Sequence, residues 1–515
     1  MLSGVTGAGK ALLGIIFIAA VLGALWYFNR DTKGSSNITA ATKSHNSEIH
    51  STNSSDDDRP LVVTINTWGG WGPGIYYNNG LKATKNSKYF TEQGIQVEFK
   101  LIDDFQNSRE AWKAGDVDVL WATLDAFTTE AEGLKQFEPQ VFMQADWSFG
   151  GDAIVVERGI NQIGDLKGKT IALAPMTPSH SFLLWALNAG DLKYSDVQIK
   201  EVQNAIDAAD LFKKGQVDAA VCWSPDDQDC ITKRPGSKIL VNTKSASNII
   251  ADCFLVKKSF LDAHQQILKS FATGWFKAIG ELKSSVDIQN KTITLMAEAF
   301  SQPEDFCKIA LFNARLTNYG DNINFFNIKG TFTGITAENL YNHMVKEYMP
   351  LGYTTANTPS WRNICNISII RNLNLPESEK HGETPVTFSP ATEQIKTAPA
   401  ISNKKLSITF STGSYTLDDN AKTLIDESFV PIAEGFARSR IRIEGNTDNV
   451  GNPNSNIVLS EKRAQSVANY LAIEHGFDKN RFIVLGNGIN KPIADNNSEN
   501  GRRKNRRTDF QLINE

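Results

Sequence analysis

The chain has 515 residues, 41% hydrophobic and 21% charged, with a formal net charge of −4 at pH 7. That length exceeds one ordinary hydrophobic core and calls for two or three domains. So small a charge makes no whole-chain case for nucleic acid or for an acidic membrane surface. Five cysteines without a CxxC pair make none for a zinc site.

The first element is apolar. Ala11 to Phe28 (ALLGIIFIAAVLGALWYF) contains no charged side chain, and its 18 residues reach the short end of a membrane span. Trp26 and Tyr27 stand near its outer end, where amphipathic aromatics favour the headgroup boundary. Cleavage after Ala24 would put Leu22 at the minus-three position, where a small residue is wanted. Residues 1–30 are therefore expected to form an uncleaved transmembrane signal-anchor in the inner membrane, with the bulk of the chain periplasmic. A cleaved signal peptide is the alternative. The stretch Gly4 to Lys10 approaches a phosphate-binding loop, but Ala11 stands where Ser or Thr must hold the metal.

Residues 31–59 are rich in Ser, Thr, Asn and Asp and read as a flexible linker. Residues 375–400, with Pro376, Pro385, Pro390 and Pro399, read as a second, semi-extended one. Two regions remain to fold, 60–374 and 401–515.

In 60–374 short strands alternate with helices: Leu61 to Trp68, Ile95 to Ile102, Val117 to Ala122 and Thr170 to Ala174. This alternation predicts an α/β domain with a parallel sheet. An internal echo adds a second lobe. Trp112-Lys-Ala-Gly-Asp-Val-Asp-Val119 recurs as Phe212-Lys-Lys-Gly-Gln-Val-Asp-Ala219. Both copies read as a helix closed by Lys-x-Gly followed by a strand. In 401–515 the expected order is a strand Ser407 to Phe410, a helix Asp418 to Ala437 and a strand Arg440 to Glu444. Next comes a helix capped by Ser460, with Ala464, Val467, Ala468 and Leu471 at helical spacing. Gly476 ends it, and strands near Phe482 and Thr508 complete an α+β module.

That module carries the most specific motifs: Gly445-Asn-Thr-Asp-Asn-Val-Gly451, then Asn456, then Leu459-Ser-Glu-Lys-Arg-Ala464, and near the end Gly501-Arg-Arg-Lys-Asn-Arg-Arg507. In this order they resemble the OmpA-like peptidoglycan-binding family, with Asn446 where that family has His. The resemblance implies a peptidoglycan site of Thr447, Asp448, Asn456 and Arg463. The residue chemistry agrees: diaminopimelate, in the stem peptide of the wall, ends in one ammonium and one carboxylate. Asp448, in a loop past a strand, can take the first, and Arg463, expected in the first turn of the next helix, can take the second in two bonds. A structural Asp–Arg pair is the alternative. The basic run at the end either borders this site or is solvated.

A second likeness lies in the centre. Gly151-Asp-Ala-Ile-Val-Val156, Ile163 to Ala172, His180 and Gly215 to Ala220 are similar to SsuA/TauA-like periplasmic solute-binding proteins. The resemblance implies two α/β lobes closing over a small molecule. Ligands in such folds sit at the carboxyl ends of strands, which here gives Trp68, Thr123, Ser179, His180, Trp223 and Ser224. Thr177 as N-cap and Pro178 at the first helical position would open a helix start suited to a sulfonate or carboxylate. Hinge or core packing is the other reading of the two tryptophans, and capping that of His180.

No HExxH, no GxSxG and no cofactor motif stands in the chain, so catalysis is not expected. The expectation is a membrane-tethered protein that binds peptidoglycan and a small, anionic solute, for sensing or capture; a membrane-protein partner is left open. A structural envelope linker with ligand-free lobes is the alternative. An ion-driven stator would need an acidic residue between Ala11 and Phe28, and none is there.

Overall fold

The computed structural model describes residues 59–376, 382–408, 410–411 and 413–514. The predicted anchor and residues 31–58 of the first linker lie outside them. No helix among the described residues is long and apolar enough to cross a membrane.

Runs of β-branched and aromatic residues build a first sheet from β1 (Leu61–Ile65), β2 (Val97–Leu101), β3 (Val119–Thr123) and β4 (Pro139–Ser148). The chain then crosses into a second lobe. There β5 (Asp152–Val156), β6 (Thr170–Leu173), β7 (Gln198–Glu201), β8 (Ala219–Trp223) and β9 (Lys238–Asn242) form a sheet of order β7-β6-β8-β5-β9. It returns through β10 (Ala251–Lys257) and β11 (Ala314–Leu316), completing the first sheet as β11-β4-β10-β3-β1-β2. The parallel sheet expected from the alternation is thus only partly right. β1 pairs in parallel with β2 and β3, and β6 with β7 and β8. The strands bordering the two crossings, β4, β5, β9 and β10, run antiparallel to their neighbours. A chain that leaves a lobe and comes back must reverse direction there.

The echo places one copy in each lobe, and its Asp does the same work twice. Asp118 Oδ2 accepts from the Val62 N–H at 2.9 Å, and Asp218 Oδ2 from the Thr170 N–H at 2.7 Å. Each fixes the start of the neighbouring parallel strand. Gly115 and Gly215 precede them at φ 88° and 68°, the left-handed region a side chain resists.

Where the two crossings meet, Ser148 Oγ lies 3.0 Å from Thr243 Oγ1 and donates to Asp152 Oδ2 at 2.8 Å. The five cysteines form no disulfide.

The C-terminal sheet has order β12-β15-β13-β14, from β12 (Ser402–Leu406), β13 (Arg440–Asn446), β14 (Phe482–Gly488) and β15 (Thr508–Ile513). Three expectations change here. The first strand lies earlier than Ser407, because Ser402 to Leu406 pair with β15. The predicted helix to Ala437 breaks at Phe429 into Asp419–Ser428 and Val430–Gly435, where Pro431 removes a backbone donor. The next helix is Pro453–Glu474, capped by Asn452, whose side chain accepts from the Asn454 and Ser455 N–H groups. Ser460 is therefore not a cap. It is buried mid-helix and accepts from the Gly488 N–H at 2.9 Å, tying the helix to β14.

The module rests on the lobes. The Ile163 N–H donates to Ile401 O at 2.8 Å, the Asn248 N–H to Gly435 O at 3.1 Å, and Lys404 Nζ to Asn188 Oδ1 at 3.0 Å. The described part of the second linker is docked too. Phe388 is buried under the guanidinium groups of Arg440 and Arg481, at 5.2 and 5.8 Å. Glu383 pairs with Arg315 and Arg438.

Candidate functional site

A cavity of about 330 Å³ opens between the lobes, at the carboxyl ends of β1, β3 and β8. Its walls hold Trp68, Phe105, Trp121, Trp223 and Phe306. The Trp68 ring lies against Gly151, where a Cβ would come within 2.3 Å of it, and its Nε1 donates to Asp146 Oδ1 at 3.2 Å. Phe105 stands edge-on to Trp121 at 5.1 Å and stacks with Trp223 at 6.4 Å.

Four carboxylates line the same space: Asp103, Asp152, Asp226 and Asp252. The sheets explain two of them. Asp252 on β10 lies opposite Thr123 of β3 and Asp146 of β4, and Asp152 on β5 lies opposite Trp223 of β8. Burial pushes the Asp152 carboxyl up to about 7, and also Asp125, which is buried nearby. Burial raises Asp146 as well, and burial with repulsion from Asp146 raises Asp252. Asp152 Oδ1 is buried without a hydrogen-bond partner. No Lys, Arg or His is among the described lining residues.

Of the predicted solute residues, the structure gathers Trp68, Thr123, Trp223 and Ser224 into this cavity. Ser179 and His180 are a correction: both are fully buried and neither lines it. The helix Pro178–Ala189 is buried at every position but one, so its start packs into the core instead of opening to the cleft. His180 is ringed by Tyr194, Tyr348 and Tyr353 at 5.0–5.3 Å, and burial lowers its pKa to about 4. Only Pro178 reaches the cavity, and a proline offers no N–H. The helix start at Ser179 and His180 therefore does not face this cavity, whose described lining carries acidic and no basic side chains. Asp152 lies in the motif Gly151 to Val156 and Trp121 in the expected strand Val117 to Ala122, but neither is marked there as a cavity residue. Phe105 and Phe306 gave no signal beyond ordinary apolar residues.

The second site is a loop after β13. Asp448 is 9% exposed. Its Oδ1 accepts from the Val450 N–H at 3.0 Å and its Oδ2 from Arg506 Nη1 at 2.6 Å. Arg506 also holds Glu499 at 2.6 Å. Arg463 donates through Nε to Ser414 O at 3.0 Å, and its guanidinium stands 4.8 Å over the Phe410 ring. Arg463 is the eleventh residue of its helix rather than one of the first turn, so the helix start does not serve it. The Asp448–Arg463 pair proposed as the structural alternative does not form; Arg506 is the partner. Thr447 and Asn456 shape the loop: Thr447 Oγ1 donates to Asp448 O at 2.9 Å and Asn456 Nδ2 to Val450 O at 3.0 Å. Asn446 is buried against Asp509 and Asn487. Arg463, Arg506, Arg507 and Asn446 border one small pocket.

Comparison with known proteins follows the same division. Residues 409–506 match the OmpA family and residues 77–284 the family described as NMT1/THI5 like. The chain is 28% identical over 232 residues to the taurine-binding periplasmic protein of Escherichia coli, covering 44% of this chain and 67% of that one. It is 42% identical over 72 residues to the peptidoglycan-binding protein ArfA of Mycobacterium bovis, covering 14% of this chain and 22% of that protein. The crystal structure of the periplasmic aliphatic sulphonate binding protein SsuA from Escherichia coli superposes with a TM-score of 0.48 at 15% identity, over 59% of this chain and 98% of that one. The chain thus joins a central region matching the NMT1/THI5 like family, similar to SsuA/TauA-like proteins, to a C-terminal region matching the OmpA family.

Proposed function

We propose that this is an envelope binding protein that grips the diaminopimelate head of a peptidoglycan stem peptide with its C-terminal domain and captures a small solute between its central lobes. The observation that carries the first half is the meeting of Asp448, Arg463 and Arg506 at one loop beside a small pocket. A carboxylate beside two guanidinium groups complements a head with one ammonium and one carboxylate. A relative with a peptidoglycan-binding name, 42% identical over 72 residues, agrees with this reading. The cavity of about 330 Å³ with its aromatic walls supports the second half. The apolar stretch Ala11 to Phe28 supports an inner-membrane anchor at the other end. A protein held at both ends suits sensing or local capture better than shuttling to a transporter. It is read as a binder, not a catalyst.

The test is cosedimentation of the detergent-solubilised full chain with purified diaminopimelate-type peptidoglycan. The wild type should pellet with the wall, and Asp448→Ala and Arg463→Ala should stay largely in the supernatant while keeping the wild-type circular dichroism. Equal pelleting of both folded variants overturns the site. For the anchor, the mature N-terminus is sequenced after export, and a start near Leu25 sinks it.

A further inference from the structure

We infer that the interlobe cavity takes a small organic cation, an amine or quaternary ammonium, with Asp152 and Asp252 opposing its charge and Trp68 and Trp223 facing its alkyl surface. This rests on the reading of the cavity as a solute site and names the class of solute.

Three independent features point the same way. The first is charge. Four carboxylates and no basic side chain line the described wall. Asp125 and Asp146, buried just behind, add to the same field, and Arg315 is the cation that acts on Asp146. Carboxylates withdrawn from water are costly unless something of opposite charge meets them. A bound ammonium supplies that charge and lets these buried acids give up the protons they otherwise keep, whereas a sulfonate or carboxylate gains nothing from ionising them.

The second feature is an unmade bond. Asp152 is 5% exposed, and its Oδ2 is satisfied by Ser148 at 2.8 Å. Its Oδ1 has no partner and belongs to a residue of the cavity wall. An acceptor left this way calls for a donor, which a ligand that displaces the neighbouring Trp223 side chain can bring.

The third feature is the aromatic wall. Ring faces attract cations within about 6 Å, most strongly tryptophan and most of all when water is excluded. The cluster already does this once. Arg109, paired with Glu130, stands 5.4 Å over Phe105 and 5.2 Å over Trp121. Trp68 and Trp223, both half-buried at the cavity, are left for the ligand. The rings also argue against a metal ion, and no group of three metal-ligating side chains converges among the described residues.

The experiment is isothermal titration of the full chain with choline, putrescine and taurine, against isethionate and methanesulfonate. Taurine and isethionate share a sulfonate and differ in ammonium against hydroxyl, so that pair isolates the cation. Choline or putrescine should bind, and isethionate and methanesulfonate should give no heat. Asp152→Asn, which preserves shape, should weaken the cation by more than about tenfold, and Trp223→Ala should do likewise. Asp152→Asn should leave the ligand-free melting temperature unchanged or raise it, which separates lost binding from lost folding. Binding of the two sulfonates without any amine overturns the cation and leaves solute capture standing. No binding by any probe removes solute capture and this inference together. Unchanged cation affinity in both variants overturns the assignment to this wall.

Discussion

The two sites use the same acid in opposite company. In the C-terminal loop, Asp448 is held at 2.6 Å by Arg506, with Arg463 beside it, so the site presents both signs within one head-group's reach. In the interlobe cavity, Asp152 and Asp252 face aromatic rings and further carboxylates, with no basic side chain lining the wall. A mixed site before binding needs a ligand that carries both charges, because an ion of one sign must displace one partner and leave the other unpaired. A site of one sign needs its complement and gains by being relieved of self-repulsion. The charge each proposed ligand should carry follows from what its aspartate lacks.

The largest expected effect breaks the mixed site. Asp448→Ala should cost roughly 2–5 kcal/mol of wall binding, since it leaves the ligand's ammonium unpaired and strips Arg506 of one of its two carboxylate partners. Arg463→Lys should also bind measurably less, because an ammonium cannot reproduce the planar two-bond grip. Sedimentation isotherms read both. If the lysine variant is indistinguishable from wild type, Arg463 contributes only its charge.

The one-sign site should announce itself through pH. Asp125, Asp146 and Asp152 are held up to about 7 by burial, with Asp227 adding to it at Asp152 and Arg315 opposing it at Asp146, and burial with repulsion from Asp146 and Asp125 raises Asp252. These carboxyls keep protons in the folded protein that the unfolded chain releases near pH 4. The folded state then binds more protons between about pH 4 and 7, so stability falls as pH rises through that window and levels off above it. Each such proton contributes a slope of up to about 1.4 kcal/mol per pH unit. The melting temperature of ligand-free protein should drop from pH 5 to pH 7.5, and Asp152→Asn should flatten part of the drop. A flat or rising profile would contradict the buried acidic floor.

How much of this could be read from the residues depended on whether function was written in neighbours or assembled from distance. Thr447, Asp448 and Asn456 lie within one short stretch, and the loop they form is the one expected. Arg463 stands beside that loop, but not at a helix start as expected: the helix begins at Pro453, signalled by Asn452-Pro453, and not at Ser460. The twin Val-Asp segments gave both lobes, because each Asp fixes a strand locally. The cavity's charge was not legible. Asp252 sits 100 residues beyond Asp152 in the chain and meets the cleft only because β10 returns between β3 and β4. The helix start at Thr177 looked open because its own letters do not record the tyrosines, over 150 residues later, that cover His180.

The smallest expected effect asks whether the two sites know of each other. Gly435 O accepts from the Asn248 N–H, and Ser245 O accepts from the Arg438 N–H, so the C-terminal domain touches the second crossing between the lobes. Arg438 also stands 4.9 Å over Phe149 of the first crossing. A Cβ at Gly435 would come within 2.8 Å of the Trp185 ring, so Gly435→Leu cannot be seated without pushing the helix Val430–Gly435 away. Overpacking of this kind costs about 1–3 kcal/mol, visible as a lower melting temperature and faster hydrogen exchange along Val430–Gly435. Wall binding should not change, since Asp448 and Arg463 belong to other elements. Solute affinity should shift by only a few-fold, because freeing both crossings alters how readily the lobes close without touching the cavity wall. Unchanged solute affinity in a demonstrably undocked variant would make the contact a strap and the two sites independent; a loss as large as that of Asp152→Asn would make the docking surface part of the solute site itself.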